Sequence, residues 1–174
     1  MGASGLRGEW PTEHPGDLAA DGEGSRARRQ IPPSAHLYLF PSLTIDEIYL
    51  SEALKEARAG VKSREEPVGA VAVLGGRVVG RAHQQTASLR DPTAHAVMIV
   101  LTQAAEEARE PGRPKDLQLF VTEMPCRMCL AAAQLAGVRR IVYGTARKVV
   151  RPAPIPVTGL VLEKECKALR SQNT

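Results

Sequence analysis

Aromatic side chains are scarce: two Phe, three Tyr and one Trp in 174 residues. So small a set does not build the stacking platform on which readers of single-stranded RNA lay their bases. Cysteine is scarce too, with three in the chain, which argues against a secreted disulfide scaffold. No apolar h-region stands near Met1, so no secretory signal is expected. Apolar runs are short, Ala96–Leu101 being typical, and none reaches the length of a membrane span. A composition 43% apolar, with 15 Gly and 13 Pro, excludes collagen, coiled coil and disorder throughout. What remains is a soluble mixed α/β globule. Its expected compartment is the cytoplasm, or the nucleus if the cell is eukaryotic, and no membrane partner is expected.

The net charge of +4 is unevenly spread. Residues 1–43 carry four arginines and five acids; residues 44–174 carry 19 basic and 14 acidic side chains, a net +5. That mild basic bias is compatible with RNA without being diagnostic of it. The first 41 residues hold six Gly, five Pro and few aliphatics, too little apolar surface to offset the entropy of ordering. Residues 1–43 are therefore expected to form a disordered tail and residues 44–174 one folded domain. Arg26, Arg28 and Arg29 make a small basic knot in the tail. Its five acids argue against a mitochondrial transit peptide.

The folded part opens on Thr44-Ile45-Asp46-Glu47, a capping box. Leu50, Ala53, Leu54 and Ala57 follow at helical spacing, with Gly60 as the expected stop. Val68 to Leu74 predicts a strand, Gly75-Gly76 a tight hairpin turn, and Arg77 to Gly80 the returning strand. Pro92 precedes a predicted helix over 94–109, and a loop follows at Pro111, Gly112 and Pro114. Leu117 to Thr122 predicts a third strand. A helix opens near Cys126 and stops at Gly137. A fourth strand covers Arg140 to Gly144, and a last helix covers about 162–169 after Pro152–Pro156. Strands interleaved with helices imply one sheet covered on both faces.

The chemistry concentrates in His95, Cys126 and Cys129. The two thiols, three positions apart at a helix start, can converge on one ion. Orphan N–H groups and the dipole there favour thiolate over thiol. A strand–helix crossover can bring His95, near the start of the preceding helix, to the same sheet edge. One imidazole and two thiolates suit Zn2+, and three protein ligands leave a fourth position for water, as in catalytic sites. Taken alone, the cysteine pair also fits a redox motif or two buried small residues. Cys166 stands isolated on the last helix and is expected to be packed, and nothing in the spacing of His83 aims it at the site.

These residues, together with Pro67-Val68-Gly69-Ala70-Val71, Asp91-Pro92-Thr93-Ala94-His95-Ala96 and Val142-Tyr143-Gly144, resemble the zinc-dependent deaminase superfamily. The branch most resembled is that of the bacterial-type tRNA adenosine deaminases, which convert the wobble adenosine of tRNA to inosine. The resemblance implies a three-layer α-β-α sandwich of the cytidine-deaminase type with a mixed central sheet. It also implies zinc on His95, Cys126 and Cys129, tRNA as partner, no DNA, and a dimer.

The superfamily signature is H-x-E followed by P-C-x-x-C. This chain has His95-Ala96-Val97, so Val97 occupies the position of the proton-shuttling glutamate. Losing a positioned acid/base costs at least about 10²–10⁴ in rate. Asp91 and Glu123 are nearby carboxylates in sequence, but neither lies two positions after His95. Three further departures are Met124 where the family has Glu, Gln84 where it has a substrate-contacting Asn, and a short loop from Thr145 to Pro156. A His-Ala-Val-Met run also resembles the silent subunit of the heterodimeric eukaryotic wobble deaminase. The resemblance thus implies a silent or weak member, acting as a homodimer or beside an active paralogue. The alternatives are an active deaminase of tRNA adenosine or a small nucleobase using another acid/base, and a redox C-x-x-C protein.

Overall fold

A computed structural model describes residues 43–107, 116–146 and 155–172. The tail expected over residues 1–43 lies outside the described residues except for Leu43, as do the loop at Pro111–Pro114 and most of the Thr145–Pro156 segment.

Helix α1 spans Ile45–Lys62 and begins with both halves of the capping box formed. The Thr44 N–H donates to Glu47 Oε2 at 2.7 Å, and the Glu47 N–H donates to Thr44 Oγ1 at 3.3 Å. Its buried stripe is Leu50, Ala53, Leu54, Ala57 and Gly60, one face of a 3.6-residue repeat. The helix continues two residues past Gly60, the expected stop. Gly60 is there because His83 presses on it: a Cβ would sit 3.1 Å from that of His83. The chain turns instead at Ser63 and Arg64, the latter with φ of 60°.

Strand β1 (Gly69–Leu74) joins β2 (Arg77–His83) through Gly75 and Gly76, with φ of 57° and 78°. Two positive φ values are what a tight hairpin turn between right-twisted strands demands. Strand β2 runs three residues beyond the expected Gly80, because its ladder with β1 extends to Gly69↔His83 past a bulge at Ala72/Val73. Then come α2 (Ala96–Glu107), β3 (Leu117–Glu123), α3 (Arg127–Leu135), β4 (Arg140–Thr145), β5 (Val157–Thr158) and α4 (Glu163–Ser171).

The sheet order is β2-β1-β3-β4-β5. β1 is antiparallel to both its neighbours, whereas β3, β4 and β5 run parallel, so the sheet is mixed. Alternation along the strands sorts the core into two layers. Ala70, Ala72, Leu117, Leu119, Val121 and Ile141 pack with α2 and α3. Val71, Val73, Phe120 and Val142 pack with α1 and α4. The result is the α-β-α sandwich.

This topology positions the site. Since β2 and β3 both oppose β1, they run parallel to each other, and α2 is the crossover between them. α3 is the crossover from β3 to β4. Both helices therefore begin at the same edge of the sheet, beyond the carboxyl ends of β2 and β3, where α/β sheets commonly place their ligands. Among the described residues no helix is long and apolar enough to cross a membrane.

Candidate metal centre

His95 and Cys126 each stand at the threshold of a helix. The His95 carbonyl accepts the N–H of Ile99 at 3.2 Å, and that of Cys126 accepts Leu130's at 2.9 Å. Cys126 is extended (φ −70°, ψ 173°) and has no side-chain capping bond, so its thiol is not committed to the helix end. Cys129 lies one turn along the same face. The ligand atoms of the three residues fall within 4.8 Å of one another. His95 Nδ1 is 3.6 Å from Cys126 Sγ and 3.5 Å from Cys129 Sγ. A tetrahedral ion with the usual Zn–N and Zn–S bond lengths holds its N and S ligands about 3.6 Å apart. The donor set and its spacing thus fit zinc.

Burial is graded across the triad: Cys126 is exposed, His95 half-buried and Cys129 buried. Burial pushes the Cys129 thiol up to about 12, with the neighbouring Cys126 adding to the rise. A cation must displace that proton to bind, so metal uptake releases protons and strengthens as pH rises.

No aspartate or glutamate among the described residues belongs to the group. Val97, in the first turn of α2, is 3% exposed and sits in the apolar cluster with Ala70, Ala72 and Val100. Asp91 is turned to its own loop: its Oδ1 accepts the N–H and the hydroxyl of Thr93, both at 2.7 Å. Those bonds, the hydroxyl's first, hold its carboxyl below the usual value. Glu123 closes β3 opposite Thr145. Met124, where the family has Glu, packs against the α2–α3 side of the core.

Gln84 follows directly on β2 and is buried. The next residue's N–H donates to the carbonyl of Ala94 at 3.0 Å, so Gln84 lies beside the approach to His95. His83 faces the other way, with Nδ1 3.9 Å from Glu56 Oε2 on α1. Cys166 is buried on α4, where its sulfur occupies the space a side chain at Gly144 would take.

Sequence reasoning did not find Glu65. Its carboxylate is 2% exposed and accepts from Ser88 N (2.7 Å) and Ala87 N (3.1 Å), tying down the loop that leads to His95. Burial alone would raise its carboxyl, but the N–H groups of Ser88 and Ala87 and the hydroxyls of Ser88 and Thr86 outweigh it, and the net shift is downward from 4.5. A group lowered by folding stabilises the fold above its ordinary value and loses that contribution as pH falls. Hydrogen-exchange protection of the Ala87 and Ser88 amides is therefore expected to drop on acidification below about pH 4.5. Glu65→Gln should remove that pH dependence.

Residues 43–145 match the cytidine and deoxycytidylate deaminase zinc-binding region. The chain belongs to this family. It is 45% identical over 130 residues to tRNA(Ile)-lysidine synthase of Thermus thermophilus, a match covering 71% of this chain and 24% of the relative. It is 38% identical over 102 residues to the tRNA-specific adenosine deaminase of Bacillus subtilis, covering 59% of this chain and 63% of the relative. A structure solved in work on A-to-I editing by tRNA A34 deaminases superimposes with a TM-score of 0.64 at 32% identity. That match covers 70% of this chain and 98% of the other. The chain thus spans about a quarter of the Thermus relative and under two thirds of the Bacillus one. The deaminase family supplies the context for the triad: a zinc-binding region set in a fold resembling tRNA adenosine deaminases.

Proposed function

We propose that this chain is a zinc-holding deaminase that is silent or weak in hydrolysis and serves as a tRNA-binding subunit, as a homodimer or beside an active paralogue. One observation carries the reading: Val97 stands two residues after His95, beside a complete set of metal ligands. Zinc bound by His95, Cys126 and Cys129 supplies activation of a water molecule at neutral pH. Hydrolytic deamination also requires a proton to be carried to the base and then to the departing amine. The isopropyl group of Val97 holds no proton to carry. Asp91 is occupied by Thr93, which leaves it poorly placed to substitute.

Three kinds of support favour tRNA as the partner: the names of the relatives, the basic balance of residues 44–174, and the run Asp91–Ala96 on the approach to the metal. The compartment proposed for this role is the cytoplasm, or the nucleus if the cell is eukaryotic. Filter binding of labelled tRNA to the zinc-loaded chain tests the RNA contact. A tRNA(Ile) transcript is included because of the Thermus similarity. Binding that weakens steeply with salt, as phosphate contacts dictate, is the expected result. No retention of either RNA at about 50 mM salt would remove tRNA binding from the reading.

A further inference from the structure

The turn between α1 and β1 carries two consecutive glutamates, and both reach across to the segment joining β2 to α2. Glu65 holds the backbone of that segment. Glu66 does something different: its Oε2 accepts from Gln84 Nε2 at 3.0 Å. Gln84 is 7% exposed. Its own N–H donates to the Val68 carbonyl at 2.9 Å, and the Gln85 N–H to that of Ala94 at 3.0 Å. The residue is thus stitched between the start of β1 and the residue before His95, with little freedom left except rotation of its amide.

A primary amide has a donor end and an acceptor end of nearly equal shape, and a site lined by it reads opposite patterns depending on which end is presented. A carboxylate can only accept. Glu66 therefore compels the NH2 end of Gln84 to turn toward it, and an NH2 turned to Glu66 fixes where the carbonyl end points. A charge-assisted bond of this kind is stronger than a neutral one, so the orientation is held in the absence of ligand.

We propose that Glu66 is a positioning residue that sets the polarity of Gln84. The amide then offers Oε1 as an acceptor, and the site prefers a nucleobase presenting an N–H donor over an isostere lacking one. This rests on the reading that Gln84 contacts the base. Nothing in the spacing Glu66–Gln84 signals it in sequence; the pairing comes from two loops meeting in space. Where Gln stands at the position of the family's shorter Asn, the extra methylene brings the amide within reach of a partner on the α1–β1 turn.

The test uses the zinc-loaded full chain with two probes, adenosine and purine riboside, the second lacking the exocyclic amino group. Calorimetric titration of the wild type is expected to favour adenosine by about tenfold, the net worth of one hydrogen bond in a partly buried site. Glu66→Gln frees the amide to turn over. It should bring the ratio to about one without lowering the thermal midpoint, and it should shift the Gln84 side-chain N–H resonances upfield. Gln84→Ala should weaken adenosine more than purine riboside. An unchanged ratio in Glu66→Gln overturns the proposal. Unchanged adenosine binding in Gln84→Ala overturns the underlying contact, and with it the proposal, as does a wild type that binds neither probe. Inosine appearing in the wild-type titration would instead sink the silent reading and leave the Glu66 comparison standing.

Discussion

Val97→Glu is expected to raise inosine formation on tRNA by at least about 10²–10⁴-fold over the parent chain, the usual worth of a positioned acid/base. Position 97 lies in the first turn of α2, two residues after a metal ligand, and is almost closed to solvent. A carboxyl put there has its pKa raised by burial and lowered by a bound cation. Such opposed influences bring a group toward the range where it can both take and give a proton. The same burial makes the substitution costly without metal, because a charge among Ala70, Ala72 and Val100 has no partner. The variant should therefore be less stable than the parent when stripped of zinc, and the deficit should shrink when zinc is restored. Inosine is read by mass spectrometry of nuclease digests, with zinc content measured on both proteins. If both are inert while zinc-loaded, the departures at Gln84 and Met124 have closed the pocket to adenosine. If the two react equally, the proton shuttle lies elsewhere and Glu123 becomes the next residue to change.

Removing a metal ligand should have the other large effect. Cys129→Ser is expected to take zinc from about one ion per chain to near none, and Cys126→Ser to weaken it by orders of magnitude. Cys166→Ser should leave zinc in place, because that sulfur fills space over Gly144 on the far side of the sheet. Zinc at a hundred times its dissociation constant stabilises the native state by about 2.7 kcal/mol. For a domain this size that is a thermal midpoint higher by about 10 °C. A strong chelator should lower the midpoint of the parent chain by that much and leave Cys129→Ser unmoved. A chelator that moves both equally, or a parent protein that folds fully with no metal affinity, would return Cys126 and Cys129 to the redox reading.

Parts of this arrangement are legible in the chain because they are local. Thr44 and Glu47 announce a helix start that depends on four residues. Gly75-Gly76 announces a turn because only a positive φ closes it. Cys126 and Cys129 announce a site because three residues of helix return a side chain to the same face. His95 joins them on paper only through topology, once α2 and α3 are both read as crossovers. Other parts depend on contacts that sequence spacing does not record. Strand β5 has two residues, too few to show alternation, and forms because the β4 edge offers unpaired groups; the Ile141 N–H donates to the Pro156 carbonyl at 3.0 Å. Gly60 carries the mark of a helix stop and is instead a clearance for His83. Glu65 looks like surface charge and is buried, because donors of a loop more than 20 residues away converge on it.

The proposed pairing of a whole metal site with a missing proton shuttle is tested by a single-turnover incubation of the zinc-replete wild-type chain, in excess over a tRNA with adenosine at the wobble position. Inosine is quantified over hours, with zinc content measured in the same sample. One zinc per chain is expected, with inosine at most a small fraction of what a glutamate-bearing relative forms in the same time. Conversion at a relative's rate by the unmodified chain would overturn the silent reading.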